Sequence, residues 1–282
     1  MAEEIGVPAR FVESIARTAS HEYKRYEIPK KSGGTRVIHH PSKRLKALQR
    51  WLLVYVIQRL PVHSAAAAYR KNRSIFDNAR IHAGSRYLLR MDFKDFFPSI
   101  SQVALAKFIA DRGALFADWS HKDIDVFCKL VCRNSALTIG APTSPALSNA
   151  ICYDLDVDIH ALCEKKQVNY SRYADDLFFS TSQPKVLAEL AVAVTEAISN
   201  VKFPANLKIN ASKTRHSSKR GARRVTGIVL GSDGRPYVDR HFKRKVRALV
   251  HKYDSLDPTQ RASLAGMIAH VLGFEPREHP HK

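Results

Sequence analysis

The chain has 282 residues, 45% of them hydrophobic, enough to bury a sizeable core in one or two domains. Its 46 Lys and Arg outweigh 26 Asp and Glu for a formal net charge of +20, and an excess of that size favours a polyanionic partner. No apolar run reaches the roughly 18 residues that span a bilayer, and the acidic start Met1-Ala2-Glu3-Glu4 lacks the basic and apolar regions of a secretory signal, so no membrane is expected and the cytoplasm is the default location.

Strand-like runs from Tyr23 to Ile28 and from Arg36 to His40 flank Ser32-Gly33-Gly34, which predicts a basic hairpin bearing Lys30, Lys31 and Arg36. Arg36 suits a phosphate, because its planar fork matches phosphate oxygens, whereas Lys31 reads as a solvated lysine. A helix is expected from Ser42 to Leu60, with Leu45, Leu48, Leu52, Val56 and Leu60 on its apolar face and Pro61 as its stop. Between residues 62 and 85 patterns are weak. Asn78 and His82 stand four apart, so a helix would set them on one face, as a buried brace or as a contact for nucleic acid.

Arg86 to Met91 reads as a mostly apolar strand that delivers Asp92, followed by Phe93, Lys94, Asp95, Phe96, Phe97 and Pro98. Asp95 reads as a brace of that turn. Ser120 is the N-cap of a helix carrying Ile124, Phe127, Cys128, Val131 and Cys132 on one face. With Cys152 and Cys163, these cysteines form no Cys-x-x-Cys pair, so buried free thiols are preferred over a zinc site. Another helix is expected from Ser144, with Pro145 at its first position, toward Lys165. Asp154, Asp156 and Asp158 point in different directions on it and read as solvated, salt-bridged acids.

Runs from Asn169 to Tyr173 and from Leu177 to Thr181 set Asp175 and Asp176 at the tip of a tight hairpin, where consecutive carboxylates can converge. Such a pair repels itself unless it is protonated or bridged by a cation, and magnesium takes oxygen ligands of this kind. With Asp92 delivered by a second strand, the acids suit a two-metal phosphoryl-transfer site, in which the ions lie roughly 3.5–4 Å apart. Taken singly, each acidic element reads equally well as a cap, an ion pair or an ordinary turn. Pro184 to Asn200 is an Ala-rich amphipathic helix. Lys213, Arg215, Lys219, Arg220, Arg223 and Arg224 cluster around Gly221, as a solvated loop or a contact for phosphates. Gly231 to Arg235 marks a turn and a hinge. Beyond it Phe242, Val246, Leu249, Val250 and Tyr253 form an apolar stripe opposite a basic face, and a last helix covers Ser263 to Leu272.

Tyr173-Ala174-Asp175-Asp176 after Ser171-Arg172 resembles the palm signature of reverse transcriptases, and Asp92-Phe93-Lys94-Asp95-Phe96-Phe97 resembles their first catalytic motif. Gly140-Ala141-Pro142-Thr143-Ser144-Pro145, continuing through Leu147-Ser148-Asn149, is similar to their third landmark. Asn78-Ala79-Arg80-Ile81-His82 and Val225-Thr226-Gly227 resemble elements of the bacterial retron enzymes, and all five occur in the family's order.

The resemblance implies an α+β right-hand polymerase. Residues 1–90 would form N-terminal helices and fingers, 91–235 a palm with a returning fingers segment near 135–150, and 236–282 a small helical thumb. Retron enzymes usually continue past the last residue here, so a short thumb is expected. The implied activity is RNA-directed DNA synthesis with two Mg²⁺ ions on Asp92, Asp175 and Asp176 and with Lys213 as general acid toward pyrophosphate. Lys30 and Arg36 would hold the triphosphate, Phe93 would offer its carbonyl to the metal, and Phe97 would gate against a ribose 2′-OH. Gly140, without Cβ, would allow close approach of base or sugar. Ile139 replaces the Gln usual in the family, which puts a side-chain contact to the nucleotide in doubt. The implied partners are a cognate noncoding RNA as template and primer, its branched single-stranded DNA product, dNTPs, and an effector protein of an anti-phage system. A reverse transcriptase of another lineage, intron-type or defence-associated, and a noncatalytic RNA-binding scaffold for an effector stay open beside it.

Overall fold

Hydrophobic alternation and capping residues produce a mixed α and β chain, and the computed structural model describes residues 2–30, 33–112 and 115–274. The solvated reading of Lys31 lies outside the described residues. Helices α1 (Ala2–Ile5) and α2 (Ala9–Thr18) lead into the antiparallel hairpin of β1 (Tyr23–Pro29) and β2 (Thr35–Pro41), in register from Tyr23↔Pro41 to Pro29↔Thr35. Helix α3 (Lys43–Tyr55) starts where the Ser42 hydroxyl accepts from Leu45 N, and it buries Leu45, Leu48 and Leu52. It stops short of the Leu60 expected from sequence. Val54, Val56 and Ile57 crowd the turn with β-branched side chains, and a single 3₁₀ turn, Ile57–Arg59, carries the chain to Pro61.

The central sheet has the order β4-β5-β3-β6, all antiparallel, from β3 (Tyr87–Asp92), β4 (Asn169–Tyr173), β5 (Asp176–Thr181) and β6 (Arg215–Ser218). Because side chains alternate along a strand, each face has its own core. Leu89, Met91, Leu177 and Phe179 join the large core. Around it lie helices α5 (Phe96–Ser99), α6 (Gln102–Asp111), α7 (His121–Val131), α8 (Ser144–Ile151), α9 (Tyr153–Lys165) and α10 (Val186–Asn200). The four cysteines are buried there as free thiols, and burial pushes Cys128, Cys152 and Cys163 up to about 12. The single helix expected from Ser144 to Lys165 is two, parted at Cys152 (ψ 8°). Within α8 the Ser148 hydroxyl bonds back to Pro145 O, and such local bonds compete with helix propagation.

On the opposite face, Leu88 and Phe178 meet α4 (Ile75–Ala83) and a three-stranded sheet of β7 (Arg223–Val225), β8 (Ile228–Leu230) and β9 (Pro236–Tyr237). Thr226 and Gly227, both at positive φ (49° and 88°), make the two-residue β7–β8 turn, and the Thr226 hydroxyl donates to Ile75 O at 3.2 Å. The turn expected at Gly231–Arg235 is the β8–β9 connection, closed by Gly231 N on Arg235 O. Helix α11 (Arg240–His251) is capped by Asp239, and α12 (Pro258–Phe274) begins five residues before its sequence estimate, where Asp257 and Gln260 cap each other. Phe274 stacks on Phe76 of α4 at 5.1 Å. Among the described residues no helix is long and apolar enough to cross a membrane.

Candidate active site

The β4–β5 hairpin closes on Ala174 and Asp175, with Ala174 at φ 57°, a conformation costing a non-glycine residue about 1–2 kcal/mol. Buried polar groups hold it there. Arg172, wholly buried, donates from Nη1 to Ala174 O (3.3 Å) and to Asn149 Oδ1 (3.1 Å). It grips Asp156 from Nε (2.8 Å) and Nη2 (2.6 Å), and the Tyr170 hydroxyl donates to the same carboxylate at 2.7 Å. Burial, then the Asp156 charge, pushes the Tyr170 hydroxyl well above its ordinary value. Asp156 is therefore salt-bridged, as expected, but buried rather than solvated, because α9 turns it under the hairpin.

Asp92 lies directly opposite Asp176 on β3 and β5, and the Asp175 carbonyl accepts from Phe93 N at 2.9 Å. Three carboxylate residues from distant parts of the chain thus meet at one end of the sheet. Residues opposite each other in antiparallel strands share a face, so Asp92 and Asp176 face the same side as Arg90, two positions back on β3. Arg90 forks onto Asp176 with contacts of 2.7, 3.0 and 3.0 Å. Lys213 Nζ lies 2.9 and 3.2 Å from the Asp92 carboxylate oxygens. Its segment is fixed against the first acidic motif by Lys94 N on Lys208 O (2.8 Å) and Asn210 N on Asp92 O (2.7 Å). Burial raises Asp176 to about 6 despite Arg90, and burial raises Asp175 too, with the Asp92 charge adding and Lys213 and Arg36 opposing.

Among the described residues, no group of three or more His, Cys, Asp or Glu side chains stands ready to hold a metal ion. Asp92 and Asp176 are each turned to a cation of the protein itself. The donor set nonetheless fits magnesium: it consists of oxygens alone, and burial disfavours charge on Asp175 and Asp176 in a way that a hard cation relieves.

The remaining expected residues arrange themselves around this end. Phe93 is buried and stacks on Phe96 at 5.4 Å, and Phe96 contacts the half-buried Phe97 at 5.5 Å. Asp95 braces the turn through its backbone, since its carbonyl accepts from both Ser99 N and Ser99 Oγ. Arg36 is exposed on β2 and its charge reaches Asp175, while Lys30 sits exposed at the β1–β2 turn. Gly140 has φ 108°, and a Cβ there would lie 2.4 Å from His39 O and 2.9 Å from Ile38 Cγ2. The space it leaves is filled by β2. His39 N also donates to Ile139 O (2.8 Å), and His39 Nδ1 contacts Thr138 Oγ1 (2.8 Å).

Asn78 and His82 share a buried face of α4, but they do not pair with each other. His82 bonds Ser180 Oγ and Ser171 Oγ, each at 2.8 Å, bracing β4 and β5 from behind. Burial holds its imidazole down to about 3, against 6.5 for an ordinary His. A depressed folded value means that the unfolded chain binds the proton first. The stabilisation is complete above pH 6.5 and drains away as pH falls toward 3, at about 1.4 kcal/mol per pH unit between those values. Urea denaturation at pH 7 and pH 5 is expected to show His82→Gln losing about 2 kcal/mol less over that interval than the parent. Equal losses would remove His82 as the source.

Of the basic cluster, Arg223 belongs to the core: it is buried and donates to the carbonyls of Ser85 and Gly231, and Arg224 pairs with Asp239. Arg215, Lys219 and Arg220 are exposed beside the sheet edge. The sequence reading missed Arg172 and His39, and it weighed Arg90 as a partner of Asp92 where the structure puts it on Asp176. For the two arginines there was a signal, a charge at an inward position of an apolar strand, in step with Leu88 and Asp92 or with Tyr170.

The model of the family described as reverse transcriptase (RNA-dependent DNA polymerase) matches residues 28–241. Retron Ec83 reverse transcriptase of Escherichia coli is 35% identical over 268 residues, 93% of this chain and 85% of the relative. Retron Mx162 reverse transcriptase of Myxococcus xanthus is 34% identical over 92% of this chain, which spans 59% of that longer relative. Among solved structures, telomerase from Candida albicans with the TWJ fragment of telomeric RNA aligns at a TM-score of 0.51 and 12% identity, over 94% of this chain and 57% of that one. The foamy viral protease-reverse transcriptase with double-stranded DNA aligns at 0.51 and 17% identity, over 88% and 36%. Those two likenesses concern the fold, a right-hand polymerase. With the family model over most of its length and a relative this similar over nearly all of it, the chain belongs to the reverse transcriptases, the RNA-directed DNA polymerases, and among them to the retron enzymes.

Proposed function

We propose that this reverse transcriptase copies a cognate noncoding RNA into branched multicopy single-stranded DNA. The observation that carries the reading is the convergence of Asp92, Asp175 and Asp176 at one end of the sheet, tied by the Phe93 to Asp175 hydrogen bond. Asp92, Asp175 and Asp176 would hold two Mg²⁺ ions, which when bound supply activation of the primer hydroxyl and neutralise charge on the reacting phosphate. For that, Arg90 and Lys213 must yield the carboxylates they now hold. Lys213, whose Nζ now holds the Asp92 carboxylate, would then be free to donate a proton to the departing pyrophosphate. Arg36 and Lys30, on the β1–β2 hairpin, would take the triphosphate, Arg36 by its fork.

Phe97 would exclude the ribose 2′-OH. In Phe97→Ala the preference for dNTP over rNTP, as a ratio of kcat/KM, is expected to fall about 10- to 200-fold, the range for one pocket contact worth about 1–3 kcal/mol. An unchanged ratio removes the gate from Phe97.

Membership of the retron lineage supports a neighbouring structured RNA as template and primer, and an anti-phage unit with an effector protein as the setting. The test is co-expression with the adjacent noncoding locus and a denaturing gel of the recovered nucleic acid. A branched single-stranded DNA, lost with Asp175→Ala and Asp176→Ala together, is the expected result. Primer extension on a supplied RNA template without that DNA keeps the polymerase and discards the product. Failure of both leaves the scaffold reading.

A further inference from the structure

The segment Ala65–Ala68 runs parallel to β4 and extends the palm sheet by one more row. Arg172 N donates to Ala65 O and Ala67 N to Arg172 O, both at 2.8 Å, with Ala66 and Arg172 as bridge partners. Asn149 Nδ2 pins the end of the row by donating to Ala68 O at 2.8 Å. All four alanines are buried. Because the row runs in the same direction as β4, it leaves the sheet where β4 does, at the acidic turn. Tyr69 follows Ala66 by three residues as Asp175 follows Arg172 by three.

Tyr69 has two features that its packing does not require. Its φ is 60°, left-handed backbone that bulky residues rarely adopt, and its side chain is 52% exposed beside four buried alanines. The next residue, Arg70, folds back instead, its Nη1 donating to His63 O at 3.3 Å. The Asp175 carboxylate and the Arg36 and Arg172 guanidiniums all act on the Tyr69 hydroxyl, beside the acidic turn. A neutral aromatic ring, exposed between a phosphate-seeking arginine and a carboxylate turn, is suited to the apolar face of a nucleobase rather than to a phosphate.

We infer that Tyr69 is a binding residue of the polymerisation site, whose ring packs on a nucleobase at the growing end of the duplex. The assignment rests on the polymerase reading above, and the base belongs either to the template–primer or to the incoming nucleotide. The experiment uses the full chain with a supplied RNA template and DNA primer, reading KM and kcat for dNTP, duplex Kd by fluorescence anisotropy, and the melting temperature. Tyr69→Gly removes the ring and relieves the positive φ. It is expected to melt at or above the parent temperature and yet to raise KM or duplex Kd about tenfold, the scale of one lost base–aromatic stack. A raised KM identifies the incoming base, and a raised Kd identifies the template–primer. The conservative Tyr69→Phe recovers most of the loss, and Tyr69→Leu, with bulk but no π-face, does not.

A glycine variant with parental KM and Kd overturns the assignment, as does a leucine variant that matches phenylalanine. The phenylalanine and leucine pair, compared below the melting temperature of both, decides the matter if the glycine variant melts early. A parent protein that binds duplex but extends no primer refutes the polymerase reading instead, and the anisotropy arm still decides Tyr69.

Discussion

Asp156→Ala is expected to destabilise the chain by about 3–5 kcal/mol, because it strips a wholly buried guanidinium of its counter-charge. Arg172 and Asp156 have no exposed side-chain surface, and two of the three Arg172 nitrogens are committed to that one carboxylate. The Tyr170 hydroxyl loses its acceptor in the same step. Burying an unpaired charge costs more than the pair contributes, so replacing both residues by apolar ones of similar size should recover much of the loss. Activity should not recover with it, since no apolar side chain can donate to Ala174 O and keep the left-handed turn that carries Asp175. Urea midpoints for Asp156→Ala and for Asp156→Leu with Arg172→Met, alongside primer extension by the folded fraction, separate the two effects. A single variant within 1 kcal/mol of the parent, or a double variant with full activity, refutes this account.

Gly140→Ala is expected to act on the β1–β2 hairpin. At φ 108° an alanine is strained whatever the space, and its Cβ would stand 2.4 Å from the His39 carbonyl, which is backbone and cannot swing away. Either the loop or β2 must retreat, and the His39 N to Ile139 O bond is then lost. Strain and a lost hydrogen bond together come to about 2–3 kcal/mol. Arg36 lies three residues before His39 on the same strand, so if Arg36 takes the triphosphate as proposed, KM for dNTP is expected to rise about tenfold or more while duplex Kd holds. If KM stays at the parental value in a folded Gly140→Ala protein, β2 is not coupled to this loop.

Local pattern revealed what local physics determines. The acidic turn, the strand before Asp92, the helix start at Ser42, the cap at Ser120 and the buried cysteines were legible because each depends on residues close in sequence. Helix ends were legible less well: Val56 and Cys152 interrupt where packing and local side-chain bonds outweigh periodicity. Long-range pairs left no mark in local spacing. His39 meets Thr138 across 99 residues, and no spacing rule reaches that far, whereas Lys213 meets Asp92 across 121 and only the family resemblance had set it at this site. Gly140 shows the limit well, since the need for a missing Cβ was legible but the strand that fills its place was not.

The small core behind the four-stranded sheet ties together pieces that look separate along the chain. Thr226 of the β7–β8 turn bonds the start of α4, Phe76 of α4 stacks on Phe274 of the last helix, and Phe178 and Leu88 close the same cluster two and four residues from Asp176 and Asp92. The last helix is thus not an interchangeable module. Transplanting it between relatives would require α4 and the β7–β8 turn to travel with it, because the three share one small core.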